Sequence, residues 1–362
     1  MTTDAEKKGA PRSATVFDVA RLAGVSAMTV SRVINGESTV RPGTRAKVQA
    51  AVAALNYMPN PAARKLAGSR PILIGMLYSD PRAGYLNGFL LGLLSKTSLR
   101  HVQLNARYCA SANAGEAAVA EMIASGIDGF ILPPPFCEAP AILQQVARSG
   151  MPAVAVSAGV PSAHLYSVGI DDYKAAYDLT RHLLSLGHQK LGFIKGDPGQ
   201  SCSDRRLAGF CAAVADAGLD IDADARIAPG MYSYQSGLDA AEHLLAAGPN
   251  RPSAVFASND DMAAATVAVA QRLGMFVPSD LTVVGFDDAP LATTIWPELT
   301  TIRQPIGDMA SAAVDLLVRH IRAWRNGVRL PVSQSLMDYT LVRRQSDAAP
   351  KVRPAIRLSI VA

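Results

Sequence analysis

The chain has 362 residues, 49% of them hydrophobic and 6% aromatic, and carries 35 Lys/Arg against 30 Asp/Glu. That length has room for two or three domains, and no apolar run approaches the roughly 18 residues that a membrane helix needs. Charge is uneven: residues 1–70 hold 11 Lys/Arg and 4 Asp/Glu, a balance of +7 against +5 for the whole chain, which leaves −2 for the remainder. A basic segment on a near-neutral body is the footprint of phosphate binding. The polar stretch Met1 to Ser13 has no apolar core, so a secretory signal is not expected and the chain is expected to stay in the cytosol. Cys109, Cys137, Cys202 and Cys211 show no C-x-x-C pairing and read as free thiols, and no spacing suggests zinc.

Residues 1–14 read as disordered. From Thr15 two short helical patterns follow, joined by Gly24-Val25-Ser26. Thr15 with Asp18 three residues on makes a capping box, and Val16, Val19, Ala20 and Ala23 recur at helical spacing. Gly24 suits the left-handed position that ends the first helix. Ser26 can cap the second, in which Val30, Val33 and Ile34 form the inward stripe. Ala27, Met28, Ser31, Arg32 and Asn35 are left largely outward. Small, hydroxyl and Arg side chains on the outer face of a short second helix are what entry into a major groove requires. Pro42 starts a third helix with Val48, Val52 and Leu55 as its stripe. Residues 15–58 thus form a helix-turn-helix headpiece. Asn60, Pro61 and Gly68 can cap, start and stop a two-turn helix within a linker at 59–71; alone, such a helix is too short to be stable.

From Ile72 strands and helices alternate. Ile72–Leu77, Val102–Ala106, Gly129–Leu132 and Ala153–Ser157 read as strands, separated by helices near Tyr85–Thr97, Ala114–Ser125 and Ala141–Ser149. After Ile170 the alternation restarts: helix 172–186, strand Leu191–Lys195, helices 204–217 and 236–246, strand Ala254–Ala257, helix 260–272 and strand Thr282–Phe286. Repeated βα units predict parallel sheets, and two runs of them predict two similar lobes, hence an α/β fold. Ligands of such sheets bind beyond the carboxyl ends of the strands. The residues there are Tyr78-Ser79-Asp80, Pro133-Pro134, Ser157, Asp197, Ser258-Asn259-Asp260 and Asp287-Asp288, a composition suited to a polyhydroxylated ligand.

The segments D-V-A-R-L-A-G-V-S-A-M-T-V-S-R-V-I-N-G, L-N-Y-M-P-N-P-A-A-R-K-L-A-G, L-G-H-Q-K-L-G-F-I, R-R-L-A-G-F, F-A-S-N-D-D-M-A, V-V-G-F-D-D and L-T-T-I-R-Q-P lie in order from Thr15 to Arg344. Together they resemble the lac repressor/gal repressor (LacI/GalR) family of bacterial transcription regulators. The resemblance implies an effector and dimerisation domain at 72–345 with the periplasmic-binding-protein type I fold. Lobe 1 would take about 72–170 and 304–333, and lobe 2 about 171–303 and 334–345. It also implies a homodimer on a pseudo-palindromic operator and a small-molecule effector between the lobes, a sugar or a derivative of one, with no cofactor and no metal.

Site residues follow from residues and resemblance together. Arg32 can fork onto guanine, worth roughly 1–3 kcal/mol of discrimination, or contact phosphate. Ala27 and Met28 match positions that read variable operator bases; both are apolar and could meet only thymine methyls. Ser26, Thr29, Ser31 and Asn35 are better placed for phosphates. The resemblance implies that Leu66 of the hinge wedges between central base pairs in the minor groove. Arg206 matches the family's effector-binding Arg and Asp287 its acidic counterpart, expected on opposite walls. Asp80, Tyr232, Asn259, Asp260 and Gln304 are further effector candidates, Tyr232 with a core or surface role as the alternative. His188, between a helix and a strand, reads as a helix C-terminal His rather than a catalytic one. One residue in each of Asp171-Asp172, Asp260-Asp261 and Asp287-Asp288 reads as a helix cap. No P-loop, G-x-S-x-G or H-E-x-x-H occurs. The tail 346–362 holds Pro350 and Pro354, which excludes one long heptad helix and favours a dimer. A solute-transport component would share the two lobes but not the headpiece; an enzyme would need a catalytic constellation that is not seen.

Overall fold

The computed structural model describes residues 14–34, 40–57, 71–79, 84–100, 102–160, 162, 165–246, 248 and 251–351. The chain divides into two compact units, Met1–Pro71 and Ile72–Ala362. Asn35, Leu66 and Asp80, with most of the expected hinge, lie outside the described residues.

The first unit holds α1 (Val16–Ala23), α2 (Ala27–Ile34) and α3 (Pro42–Ala54). Thr15 and Asp18 form the capping box, the Thr15 hydroxyl accepting from the Asp18 amide at 3.3 Å. Gly24 ends α1 at φ 66°, where a Cβ would be strained. The Ser26 hydroxyl accepts from the Thr29 amide at 3.2 Å and starts α2. Val19, Ala23, Val30, Val33, Val48 and Ala51 close a small core.

The second unit contains two six-stranded sheets. In chain order its elements begin β1 (Leu73–Tyr78), α4 (Gly84–Arg100), β2 (Gln103–Tyr108), α5 (Ala112–Ala124), β3 (Gly129–Leu132), a 3₁₀ turn (Phe136–Glu138), α6 (Pro140–Ser149), β4 (Ala153–Val156) and β5 (Tyr166–Gly169). Then come α7 (Asp172–Ser185), β6 (Leu191–Ile194), α8 (Ser201–Asp216), α9 (Ile221–Asp224), β7 (Ala225–Ala228), α10 (Tyr234–Leu245), β8 (Ala254–Ala257), α11 (Asp260–Arg272) and β9 (Thr282–Asp287). The chain continues through α12 (Leu291–Thr294), β10 (Thr300–Arg303), α13 (Ile306–Arg325), β11 (Gln334–Leu336) and β12 (Thr340–Val342). The first sheet runs β11-β5-β4-β3-β1-β2 and the second β12-β10-β9-β8-β6-β7. All neighbours are parallel except β10 and β12. The central strands β3, β4, β6 and β8 are buried at every position, as apolar runs covered on both faces require.

Two boundaries differ from expectation. The third crossover comes after residue 336 and not near 333, because Gln334–Leu336 pairs with β5 in lobe 1's sheet. The tail begins later than 346: the Val283 amide donates to the Ser346 carbonyl at 2.9 Å, and Thr282 Oγ1 donates to the Ala348 carbonyl at 3.0 Å. His188 explains that docking. It is buried, with Nδ1 at 2.8 Å from Ser253 Oγ and Nε2 at 2.8 Å from the Ala348 carbonyl, so it pins the tail rather than serving a helix dipole. No helix among the described residues is long and apolar enough to cross a membrane.

Candidate functional site

In the headpiece the helical period decides what is available. Val30 and Val33 turn inward, which leaves Ser26, Met28, Ser31 and Arg32 exposed, while Ala27 and Thr29 are half-buried. The Thr29 hydroxyl lies 2.9 Å from that of Ser26, so part of its bonding capacity is used at the helix start.

The other site is a cleft between the lobes of the second unit, with a cavity of about 210 Å³. Six of its residues lie at or just beyond strand ends, as the sheet rule requires: Ser79, Pro134, Ser157, Asp197, Asn259 and Asp287, the last of which closes β9. Lobe 1 supplies a wall of Tyr85, Leu86, Pro134 and Pro135; lobe 2 supplies Gln200, Arg206, Tyr232, Asn259, Asp261 and Asp287. One wall is therefore largely apolar and the other polar. Ser157, Tyr232 and Asp287 have φ of 55°, 57° and 109°, and Asp288 has φ 56°; they are four of the five described non-glycine residues with positive φ. Such backbone strain gathers where surrounding structure holds a site in shape. Gly196 belongs to that support, since a Cβ there would run into the Tyr232 ring.

Arg206 and Asp287 stand on the same wall, not opposite walls: the guanidinium Nη1 is 4.0 Å from Asp287 Oδ1. Both are buried. Arg206 Nε donates to Asp172 Oδ1 at 2.8 Å, Nη1 donates to the Ser258 carbonyl at 2.6 Å, and the guanidinium lies 3.7 Å from the centroid of the Phe286 ring. Burial works against its charge and is the largest single influence, but the Asp172 carboxylate together with Tyr232, Cys202 and Asp287 outweighs it and raises the pKa. Burial pushes Asp287 up to about 7, with Arg206 and the Gln304 amide, which donates at 2.7 Å, pulling the other way.

Two expected ligand contacts are placed behind the wall, and a third lines the cleft with a second role. Asp260 does not line the cavity: Oδ1 accepts from Thr301 Oγ1 and Oδ2 from the Ala289 amide, each at 2.7 Å, and its neighbour Asp261 faces the cleft instead. Gln304 also stays behind the wall, holding Asp287. Asn259 lines the cleft but caps α11, accepting from the Met262 amide at 3.0 Å and donating to the Tyr232 carbonyl at 2.9 Å. Asn259, and not one of Asp260-Asp261, is thus the cap there; Asp171 caps α7, and Asp288 is no cap but pairs with Arg303 and Arg344, each at 2.6 Å. Sequence reasoning missed Tyr85, Pro135, Gln200, Cys202 and Asp172. Asp172 could have been suspected, as the second acid of a pair at a helix start has no cap to make.

Across the cleft mouth, Glu138 of lobe 1 accepts from the Ser201 amide of α8 at 2.7 Å and from the Ser201 hydroxyl, and the Val160 amide donates to that hydroxyl at 2.7 Å. A carboxylate at a helix N-terminus is favourably placed, so these bonds hold the lobes together. Among the described residues, no cluster of three His, Cys, Asp or Glu could hold a metal ion.

A basic three-helix headpiece joined to a two-lobed, cleft-bearing domain defines a ligand-responsive DNA-binding regulator. Residues 15–60 match the model for bacterial regulatory proteins of the lacI family, and residues 180–346 the periplasmic binding protein-like domain. The chain is 32% identical to the HTH-type transcriptional regulator DegA of Bacillus subtilis (strain 168), over 92% of this chain and 97% of that protein. It is similar to the structure of a transcriptional regulator CelR–cellobiose complex, with 30% identity, TM-score 0.69 and coverage of 92% and 99%. It is also similar to the lac repressor dimer bound to operator and the anti-inducer ONPF, with 29% identity, TM-score 0.69 and coverage of 93% and 100%. The chain belongs to the lacI family of bacterial regulatory proteins and is a DNA-binding transcriptional regulator. These relatives lend nothing to the transport alternative.

Proposed function

We propose that the protein is a repressor that binds a pseudo-palindromic operator as a homodimer and releases it when a sugar or sugar derivative occupies the cleft. The carrying observation is the two-faced cleft: Arg206, Asp261 and Asp287 on one side, Tyr85 and the prolines on the other. A sugar ring has the matching division, hydroxyls at its edge and C–H groups on its faces. Charge-assisted bonds from the polar wall would fix the hydroxyls, and Tyr85 or Tyr232 would cover a face. Asp80 remains a candidate for the same ligand. The cellobiose bound by the CelR relative is consistent with this class of effector.

Ser26, Met28, Ser31, Arg32 and Asn35 would face DNA, Arg32 reading a base and the hydroxyls positioning the helix on phosphates. Leu66 would enter the minor groove at the operator centre. Leu91, Leu94 and Leu99 on α4, 70%, 55% and 75% exposed, and Phe276 in lobe 2, 73% exposed, support a dimer, because apolar surface of that kind favours burial. The ligand shifts operator affinity only through its different affinities for the two arrangements of the lobes. No catalytic role is assigned to any residue. The test is a mobility shift on the fragment upstream of the protein's own gene, at fixed salt, with a panel of mono- and disaccharides. Release by one sugar supports the reading, and a stronger shift with sugar reverses its sign to corepression.

A further inference from the structure

Lobe 1 contains a second cavity, of about 530 Å³, that shares no lining residue with the cleft. Its walls come from α6, the start of β4, the C-terminal half of α13 and the loop at 328–332. Most of this lining is aliphatic, with Trp324 and Tyr166 as its aromatic members. His320 is the exceptional residue. It is 4% exposed, and its Nε2 has no hydrogen-bond partner among the described residues. Its ring stacks on Tyr166, centroids 3.5 Å apart. Burial, with Arg319 adding, pushes its pKa down to about 4, so the ring is neutral at pH 7. A buried nitrogen without a partner is costly and calls for an explanation.

Charge narrows the choice of occupant. Arg329 sits exposed at the rim, and among the described residues no Asp or Glu lines the cavity. The Tyr166 hydroxyl already donates to the Leu330 carbonyl at 2.9 Å. A sugar would leave most of its hydroxyls unpaired against such walls, and a cation would meet Arg329. We propose that this cavity is a second small-molecule site, for an aromatic monocarboxylate between benzoate and indole-3-acetate in size. Its ring packs against Trp324 and the aliphatic wall, a polar ring substituent meets His320 Nε2, and the carboxylate pairs with Arg329.

The test is calorimetric titration of the full-length protein with benzoate, 4-hydroxybenzoate and indole-3-acetate, and with uncharged benzyl alcohol. The expected result is saturable binding of at least one acid with a Kd on the order of 0.1 mM, and binding of the alcohol at least tenfold weaker. Arg329→Ala and Ala147→Trp, the latter filling the cavity from an exposed helical position, should each weaken the acid at least tenfold without moving the thermal midpoint. Three results would overturn the site: no saturable binding of any of the three acids, equal binding in both variants, or binding abolished instead by Asp287→Asn, which would put the acid in the cleft.

Discussion

The headpiece and the cleft handle charge in opposite ways. On α2 the side chains proposed to face DNA, Met28, Ser31 and Arg32, are exposed, and the small core beneath them is made of Val and Ala, so the outward face and the apolar core are carried by different residues. In the cleft Arg206 and Asp287 are buried and stand 4.0 Å apart, and Arg206 also bonds the buried Asp172 behind it, so residues that line the cleft also hold lobe 2 together. The lesson is that a headpiece substitution can change affinity without changing stability, whereas a cleft substitution changes both.

The largest effect should come from Arg206→Ala. It strands two buried carboxylates, and removing one partner of a buried ion pair costs about 3–5 kcal/mol. Chemical denaturation should show that loss in the second unit's transition, together with loss of any sugar response. Unchanged stability would mean that the cleft charges carry no structural role and would break the comparison.

Next comes pH. The folded pKa of Asp287 is about 7, above the ordinary 3.8, so the folded state binds this proton more tightly than the unfolded state. Stability from this group is therefore fully present below about pH 4 and lost as pH rises through about 7, by at most roughly 4 kcal/mol. Asp287→Asn should flatten that part of the stability profile between pH 4 and 7. A profile that keeps its full slope in the variant would assign the dependence to other groups.

The headpiece effects should be smaller. Arg32→Ala should lower operator affinity by about 1–3 kcal/mol and leave the thermal midpoint in place; a matching fall in stability would show that the guanidinium also supports the fold. Thr15→Ala should cost about 1 kcal/mol in headpiece stability through loss of the cap, read by amide exchange in α1. Within the cleft, Gly196→Ala should displace the Tyr232 ring and weaken sugar binding more than it weakens the fold, which titration and denaturation together would separate.

What could be read from the sequence divides along the same line. The headpiece was legible because its signals are local: a capping box at Thr15 and Asp18, Gly24 at a left-handed position, Pro42 opening a helix, and an apolar stripe between. The buried strands were legible as apolar runs. β5, β7, β10, β11 and β12 were not, being three or four residues long with mixed side chains; β11 is Gln-Ser-Leu and exposed throughout. Strand ends located the cleft, because parallel sheets present their carboxyl ends to it. Roles within the cleft were less legible. Asp260 and Asp261 differ by one position on α11, and only the packing of Thr301 and Ala289 decides which of them turns inward. Arg206 and Asp287 came from the family pattern, which names residues but not the wall on which each stands.

The most direct test of the central claim is operator affinity by fluorescence anisotropy, measured at one salt concentration because phosphate contacts make it salt-dependent. It should be run with and without the sugar that releases the mobility shift, in the natural protein and in Asp287→Asn. The account predicts that the sugar weakens operator binding at least tenfold in the natural protein and not in the variant, whose affinity without sugar stays intact. An operator affinity that no sugar changes, or one that a sugar changes equally in both proteins, would contradict control through this cleft.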